Sequence, residues 1–116
     1  MTQSNAASAE AYYKAMNDKD LPAMAWQLHP NVRLVTPMED LTGRDAVLEA
    51  AKKLLGFIQS VEVQARFDSG NQEVLVYNMH FAGPAGLCRT AALMTLQDGL
   101  IVRNELFFDA SPFKKT

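Results

Sequence analysis

LCRTAALMTLQ-DG-LIVRNELFF, residues 87–108, decides how this chain is read. Two apolar-rich runs flank Asp98-Gly99, and a tight two-residue turn needs positive φ, which Asp and Gly tolerate best. The stretch therefore predicts a β-hairpin with Gln97 opposite Leu100. The residues before it read as the layers that cover it.

Immediately upstream, Gly83-Pro84-Ala85-Gly86 is a turn. In 73–82, Leu75, Tyr77, Met79 and Phe81 share one face of a strand, and Val74, Val76, Asn78 and His80 share the other. Before the Ser69-Gly70-Asn71 turn, Val61, Val63, Ala65 and Phe67 alternate with Glu62, Gln64, Arg66 and Asp68, as in a strand wet on one side. Farther upstream the period lengthens to that of a helix. Thr42-Gly43-Arg44-Asp45 has capping-box spacing and opens a helix to about Leu55, with Val47, Ala51 and Leu54 inside and Gly56 where a left-handed cap belongs. Residues 32–37 are a short strand that ends at Pro37.

Asp20 caps a second helix with Pro22 in its first turn, Leu21, Met24, Ala25 and Leu28 on its inner face, and His29-Pro30-Asn31 as its end. Ser8 caps a first helix in which Ala9, Tyr12, Tyr13 and Met16 recur at helical spacing, until Asn17-Asp18-Lys19-Asp20 breaks it. The first eight positions and 113–116 read as frayed ends. The class is α+β, with three N-terminal helices packed on one face of a curved, mostly antiparallel sheet that forms a cone. Residues 1–116 make a single domain with an ordered core of about 8–113.

A chain of 116 residues builds a core without disulfide or metal staples. Net charge is −2 and the 11 basic residues are scattered, so nucleic acid is not expected as a partner. Cys88 stands alone, which excludes an intrachain disulfide and a multi-cysteine zinc site. His29 and His80 have no second ligand at helical or turn spacing, and no metal or cofactor is expected. Residues 1–11 lack a basic head and an apolar core, and no apolar run approaches the roughly 20 residues that cross a bilayer. A cytoplasmic chain with no membrane partner is the expectation.

Ala11-Tyr12-Tyr13-Lys14-Ala15-Met16-Asn17 running into Asp20-Leu21, Leu41-Thr42-Gly43-Arg44-Asp45-Ala46-Val47, and Asp98-Gly99-Leu100-Ile101-Val102-Arg103 ending in Phe107-Phe108-Asp109 carry a resemblance in their order and spacing. Over roughly 9–113 the chain resembles the nuclear transport factor 2-like superfamily, which includes ketosteroid isomerase and the SnoaL-like polyketide cyclases. The resemblance implies a cystatin-like cone, a homodimer and an apolar pocket in each cone, with chemistry that varies between members. In the isomerase branch a carboxylate base works with a tyrosine and a protonated carboxylic acid. Tyr12 falls on the oxyanion tyrosine. The base position is Thr36 beside Pro37, and the acid position falls on Ala91 or Ala92. With base and acid both missing, the chain resembles the isomerase in fold and argues against its chemistry.

Tyr12, Thr36, Tyr77 and Met79 are expected to line the pocket, together with Phe81, Asn104, Leu106 and Phe108. Tyr12 either donates to a ligand carbonyl or simply packs. The family pattern points Asn104 inward with Leu106 and Phe108. With Gln97 opposite Leu100, Leu93 shares a face with Asn104 and Met94 with Arg103; one bulge exchanges them, and Arg103 and Glu105 would then line the cavity and favour a charged ligand or an enzyme with an ion-paired acid-base site. Glu39 and Asp40 fall near the expected mouth, His80 faces outward, and Cys88 reads as packing. Met16, Met24, Met38, Met79 and Met94 suit a malleable lining or ordinary core filling.

The function expected is a SnoaL-like pocket protein for a modest apolar or aromatic molecule, with proton transfer or hydrolysis left open and no base assigned. The alternative is a non-catalytic association module. Homodimerisation through the outer sheet face is expected in either case, with Ile101, Phe107, Val76 and Leu75 as its apolar residues.

Overall fold

A computed structural model describes residues 5–113. The ends expected to fray at 1–4 and 114–116 lie outside the described residues. Helix α1 spans Asn5–Asn17, so residues 5–8 are helical and Ser8 is not its cap. Asn-Ala-Ala extends the helix by a turn, and Ser8 becomes a buried anchor whose hydroxyl donates to the Gly99 carbonyl of the hairpin turn. A Schellman arrangement ends α1. Lys19 takes φ 56°, its N–H donates to the Met16 carbonyl (3.1 Å), and the Asp20 N–H donates to Ala15 (2.8 Å).

Helix α2 is a single turn, Leu21–Ala25, capped by Asp20, whose carboxylate accepts the Ala23 N–H at 3.2 Å. Leu28 was expected on its inner face but begins strand β1, Leu28–Val35, so His29-Pro30-Asn31 lie inside a strand instead of ending a helix. The cause is tertiary pairing: Leu28 sits opposite Ile101, whose N–H donates to the Gln27 carbonyl at 2.8 Å. Pro30 is tolerated because the ladder is irregular between Leu28 and Arg33.

A short strand that the sequence reading lacks, β2 (Asp40–Thr42), folds back on β1. Thr42 is thereby held opposite Arg33, and the expected capping box does not form; Gly43 at φ 99° precedes α3 (Arg44–Leu55) with no side-chain cap. Gly56 has φ −72°, so the expected left-handed cap is absent too. Four strands follow: β3 (Ile58–Ser69), β4 (Gln72–Phe81), β5 (Leu87–Gln97) and β6 (Leu100–Phe107). The sheet order is β2-β1-β6-β5-β4-β3, antiparallel throughout except for the parallel β1–β6 pair. Its concave face packs on the helices. Side chains buried there, such as Met24, Leu28 and Leu75, each contribute about 1.5–3 kcal/mol relative to exposure.

Bulges bend the sheet and reassign its faces. On β3 the register shifts between Val63 and Ala65: Val61 and Val63 lie opposite Met79 and Tyr77, whereas Ala65 and Phe67 lie opposite Val76 and Val74. The expected single apolar face is therefore split, and Phe67 is turned outward, 64% exposed. In the hairpin, positive φ at Asp98 (52°) and Gly99 (78°) makes the tight turn, with Gln97 opposite Leu100 and Leu96 opposite Ile101. Val102 is then an extra residue, since Thr95 pairs with Arg103 and Met94 with Asn104. Ala92, Met94 and Leu96 are the buried face of β5. The bulge is thus what carries Asn104 inward, the reverse of the expectation that a bulge would bring in Arg103 and Glu105. Among the described residues no helix is long and apolar enough to cross a membrane.

Candidate functional site: a cavity between α1, α3 and the sheet

Between α1, α3 and the concave sheet lies a cavity of about 730 Å³, a size typical of small-molecule sites. Its closed end is formed by buried side chains: Tyr12, Tyr13 and Met16 from α1, Met79 from β4, Thr90 from β5 and Asn104 from β6. Exposed residues mark its opening, with Met38 and Glu39 on the β1–β2 loop, Glu49 and Lys53 on α3, and Phe57 just beyond it. Phe113 closes one side, edge-on to Phe81 (centroids 5.2 Å apart) and to Phe108 (5.9 Å).

Of the residues expected to line the pocket, Tyr12, Thr36, Met79, Phe81, Asn104, Leu106 and Phe108 border this cavity. Tyr77 does not, and the expectation is corrected: its ring lies behind Tyr13, with centroids 4.6 Å apart. Thr36 serves the loop, since its hydroxyl oxygen accepts the N–H groups of Met38 (3.1 Å) and Glu39 (2.9 Å). Tyr13 and Cys88 also border the cavity, although the sequence reading gave neither a place there. Tyr13 could have been found, because Tyr12 and Tyr13 are adjacent in α1 and both belong to its apolar stripe.

The polar network at the closed end is neutral. Tyr77 Oη donates to Tyr13 Oη at 3.4 Å, and Asn104 Nδ2 donates to the same oxygen at 3.3 Å. Asn104 Oδ1 is buried without a hydrogen-bond partner. Burial pushes the Tyr12 phenol well above the ordinary range, and it does the same for Tyr77. Tyr13 is also raised by burial, against the lowering effect of the bonds from Tyr77 and Asn104. All three phenols are therefore held protonated near neutral pH.

The charges beside Asn104 on its strand are kept out. Arg103 and Glu105 lie opposite Thr95 and Leu93 on the outer face and contact each other at 3.3 Å. Arg33, next to Arg103 across the parallel pair, holds Asp40 through two bonds of 2.9 and 2.6 Å. That hydrogen bonding keeps the Asp40 carboxyl below its usual range. Ala92, one candidate for the isomerase acid position, faces inward opposite Leu106, and Ala91 faces outward opposite Phe107. His80 pairs with Ser60 and Leu87, and His29 Nδ1 accepts the Asn31 N–H at 3.0 Å. No cluster of three or more metal-ligating side chains occurs among the described residues.

A cone of helices under a curved mixed sheet, hollow between its layers, is the architecture of the nuclear transport factor 2-like proteins. The profile of the SnoaL-like domain matches residues 9–104, and the chain belongs to that family. Among solved structures, one similar fold is a nuclear transport factor 2-like protein of unknown function from Cytophaga hutchinsonii, with TM-score 0.85, 21% identity, and coverage of 97% of this chain and 96% of that one. A putative polyketide cyclase from Sinorhizobium meliloti matches at TM-score 0.81 and 17% identity, covering 87% and 94%. TerC, co-crystallised with polyporic acid, matches at TM-score 0.80 and 19% identity, covering 94% of each chain. At such identities the likeness is one of fold. Comparison with curated proteins finds no significant match.

Proposed function

We propose that this protein binds a modest apolar or aromatic molecule in the cavity between α1, α3 and the sheet. The observation that carries this reading is the combination of about 730 Å³ of space with a largely aliphatic and aromatic lining and a few convergent neutral polar groups. The folds shared with the putative polyketide cyclase and with TerC, co-crystallised with polyporic acid, are in keeping with it. The lining carboxylates, Glu39 and Glu49, sit exposed at the mouth. Proton transfer is therefore confined to a substrate that reaches the opening, and binding is the primary role. Titration with 2-methylnaphthalene tests this: saturable one-to-one binding is expected, and its absence up to the solubility limit contradicts it.

A second reading concerns association. Phe67 (64% exposed) and Phe107 (51% exposed) lie on the outer face of the sheet with half-buried Val74, Val76 and Leu93 between them. Leu75 and Ile101, expected on that face, are fully buried, so the patch is a different one from that expected. We infer that a second copy of the chain covers it. Light scattering is expected to give a dimer for the native chain and a monomer for Phe67→Ser/Phe107→Ser; a monomeric native chain contradicts the inference. A cytoplasmic location belongs to this reading of a small dimeric binding protein, and cell fractionation checks it.

A further inference from the structure

We propose that the closed end of the cavity receives a neutral hydroxyl group, that of a hydroxyarene, held between Asn104 and Tyr13. The proposal rests on the reading of the cavity as an apolar-ligand site and adds the chemistry of the ligand's polar end.

Asn104 is 4% exposed, and its amide is only half used. Nδ2 donates to Tyr13 at 3.3 Å, while Oδ1 has no partner. A buried unpaired carbonyl is costly, so a ligand that supplies a donor there gains affinity. Tyr13 Oη already accepts from Tyr77 and from Asn104, which leaves its own proton uncommitted among the described residues. An unfilled acceptor and an unfilled donor therefore sit on adjacent groups. A single hydroxyl oxygen serves both, donating its hydrogen to Oδ1 and accepting the proton of Tyr13.

Turning the amide over leaves the conclusion standing. Tyr13 then donates to Oδ1, Nδ2 becomes the free group, and the ligand hydroxyl accepts from it. A ketone oxygen fits only the second arrangement; a hydroxyl fits either one.

Charge is unwelcome at this end. The cation bordering the cavity is Lys53, exposed at the mouth, and Arg103 faces the other side of the sheet. A carboxylate or phenolate would lose its hydration with no counter-ion in return. The lining also supplies Phe113 in edge-to-face contact with Phe81 and with Phe108, which favours an aromatic body over an aliphatic chain.

Three ligands of matched shape test the proposal at neutral pH by calorimetry: 2-naphthol, 2-methylnaphthalene and 2-naphthoate. The expected result is 2-naphthol about tenfold tighter than 2-methylnaphthalene, with 2-naphthoate weakest. Asn104→Leu should bring 2-naphthol and 2-methylnaphthalene to equal affinity; Tyr13→Phe, a smaller change, should reduce the preference. Equal binding of 2-naphthol and 2-methylnaphthalene by the native chain, or a preference that survives in Asn104→Leu, overturns the hydroxyl site and leaves the cavity reading intact. Failure of all three ligands to bind overturns the cavity reading and the hydroxyl site with it.

Discussion

Asn104 and Tyr13, 91 positions apart in the chain, meet at 3.3 Å and tie the last strand to the first helix beneath the cavity. The tie is incomplete because the amide oxygen is left over. Replacing Asn104 by Leu removes one hydrogen bond and one unpaired carbonyl together, so stability should change by no more than about 1 kcal/mol in urea unfolding. Asn104→Asp should behave differently. Its carboxyl pKa is expected to be raised in the fold, so stability is retained below the ordinary aspartate range and lost as pH rises, by about 3 kcal/mol at neutral pH. Equal loss in both variants contradicts this account of the network.

Val102 is the extra residue of the β6 bulge, and its deletion leaves Leu96 opposite Ile101, Thr95 opposite Arg103 and Met94 opposite Asn104. The deletion should therefore keep a cooperative fold at a cost below about 2 kcal/mol. Deleting Leu93, inside a regular stretch of β5, flips half the strand and should abolish folding. Circular dichroism with urea titration distinguishes the two. Loss of folding in the Val102 deletion would show that the bulge is needed for closure of the cone.

The chain's three tyrosines, Tyr12, Tyr13 and Tyr77, are all buried, and burial raises the phenol pKa of each. Each is neutral in the fold at pH values where it would ionise when unfolded. Their contribution is full below the ordinary phenol range and is lost as pH rises toward the raised folded values. Tyrosinate absorbance should therefore appear in one step together with loss of the circular dichroism signal. A tyrosine that titrates in the ordinary range while the fold persists contradicts the buried network.

Glu73 sits on the concave face of β4, 1% exposed, with Oε2 unpartnered and Asp68 opposite it on β3. Burial first, then the charge of Asp68, raises its pKa, while Arg66 lowers it. Ionisation thus costs stability as pH rises through the folded value. Glu73→Gln should be more stable than the native chain at neutral pH by about 1 kcal/mol, with the difference vanishing below the ordinary glutamate range. A constant difference at all pH values would mean that the carboxyl makes a contact the amide cannot.

Much of the fold was legible because it rests on local chemistry. Asp98-Gly99 reported its turn, and the alternation of Leu75, Tyr77 and Met79 reported its face. Asp20 reported its cap. Less legible was whatever depends on a partner strand. Nothing about Gln64 or Val102 marks a bulge, since a bulge is a mismatch between two strands. Leu28 looked helical until Ile101 paired with it, and Thr42 looked like a cap until Arg33 held it in β2. In the site, the family pattern pointed Asn104 inward with Leu106 and Phe108, where all three lie, but the unbulged hairpin register paired its face with Leu93 instead of Met94. Tyr77 was misplaced because a buried inner face and a cavity wall have the same period; depth behind Tyr13 leaves no trace in the sequence.

An open, ligand-accepting cavity would be reported by the methionines around it. Met16, Met38 and Met79 border the cavity, whereas Met24 and Met94 are buried away from it. Methyl NMR during titration with 2-methylnaphthalene should show saturable ring-current shifts for Met16, Met38 and Met79, with Met24 and Met94 unmoved. Absence of any saturable shift, or equal shifts at all five, would contradict a binding site in the cone.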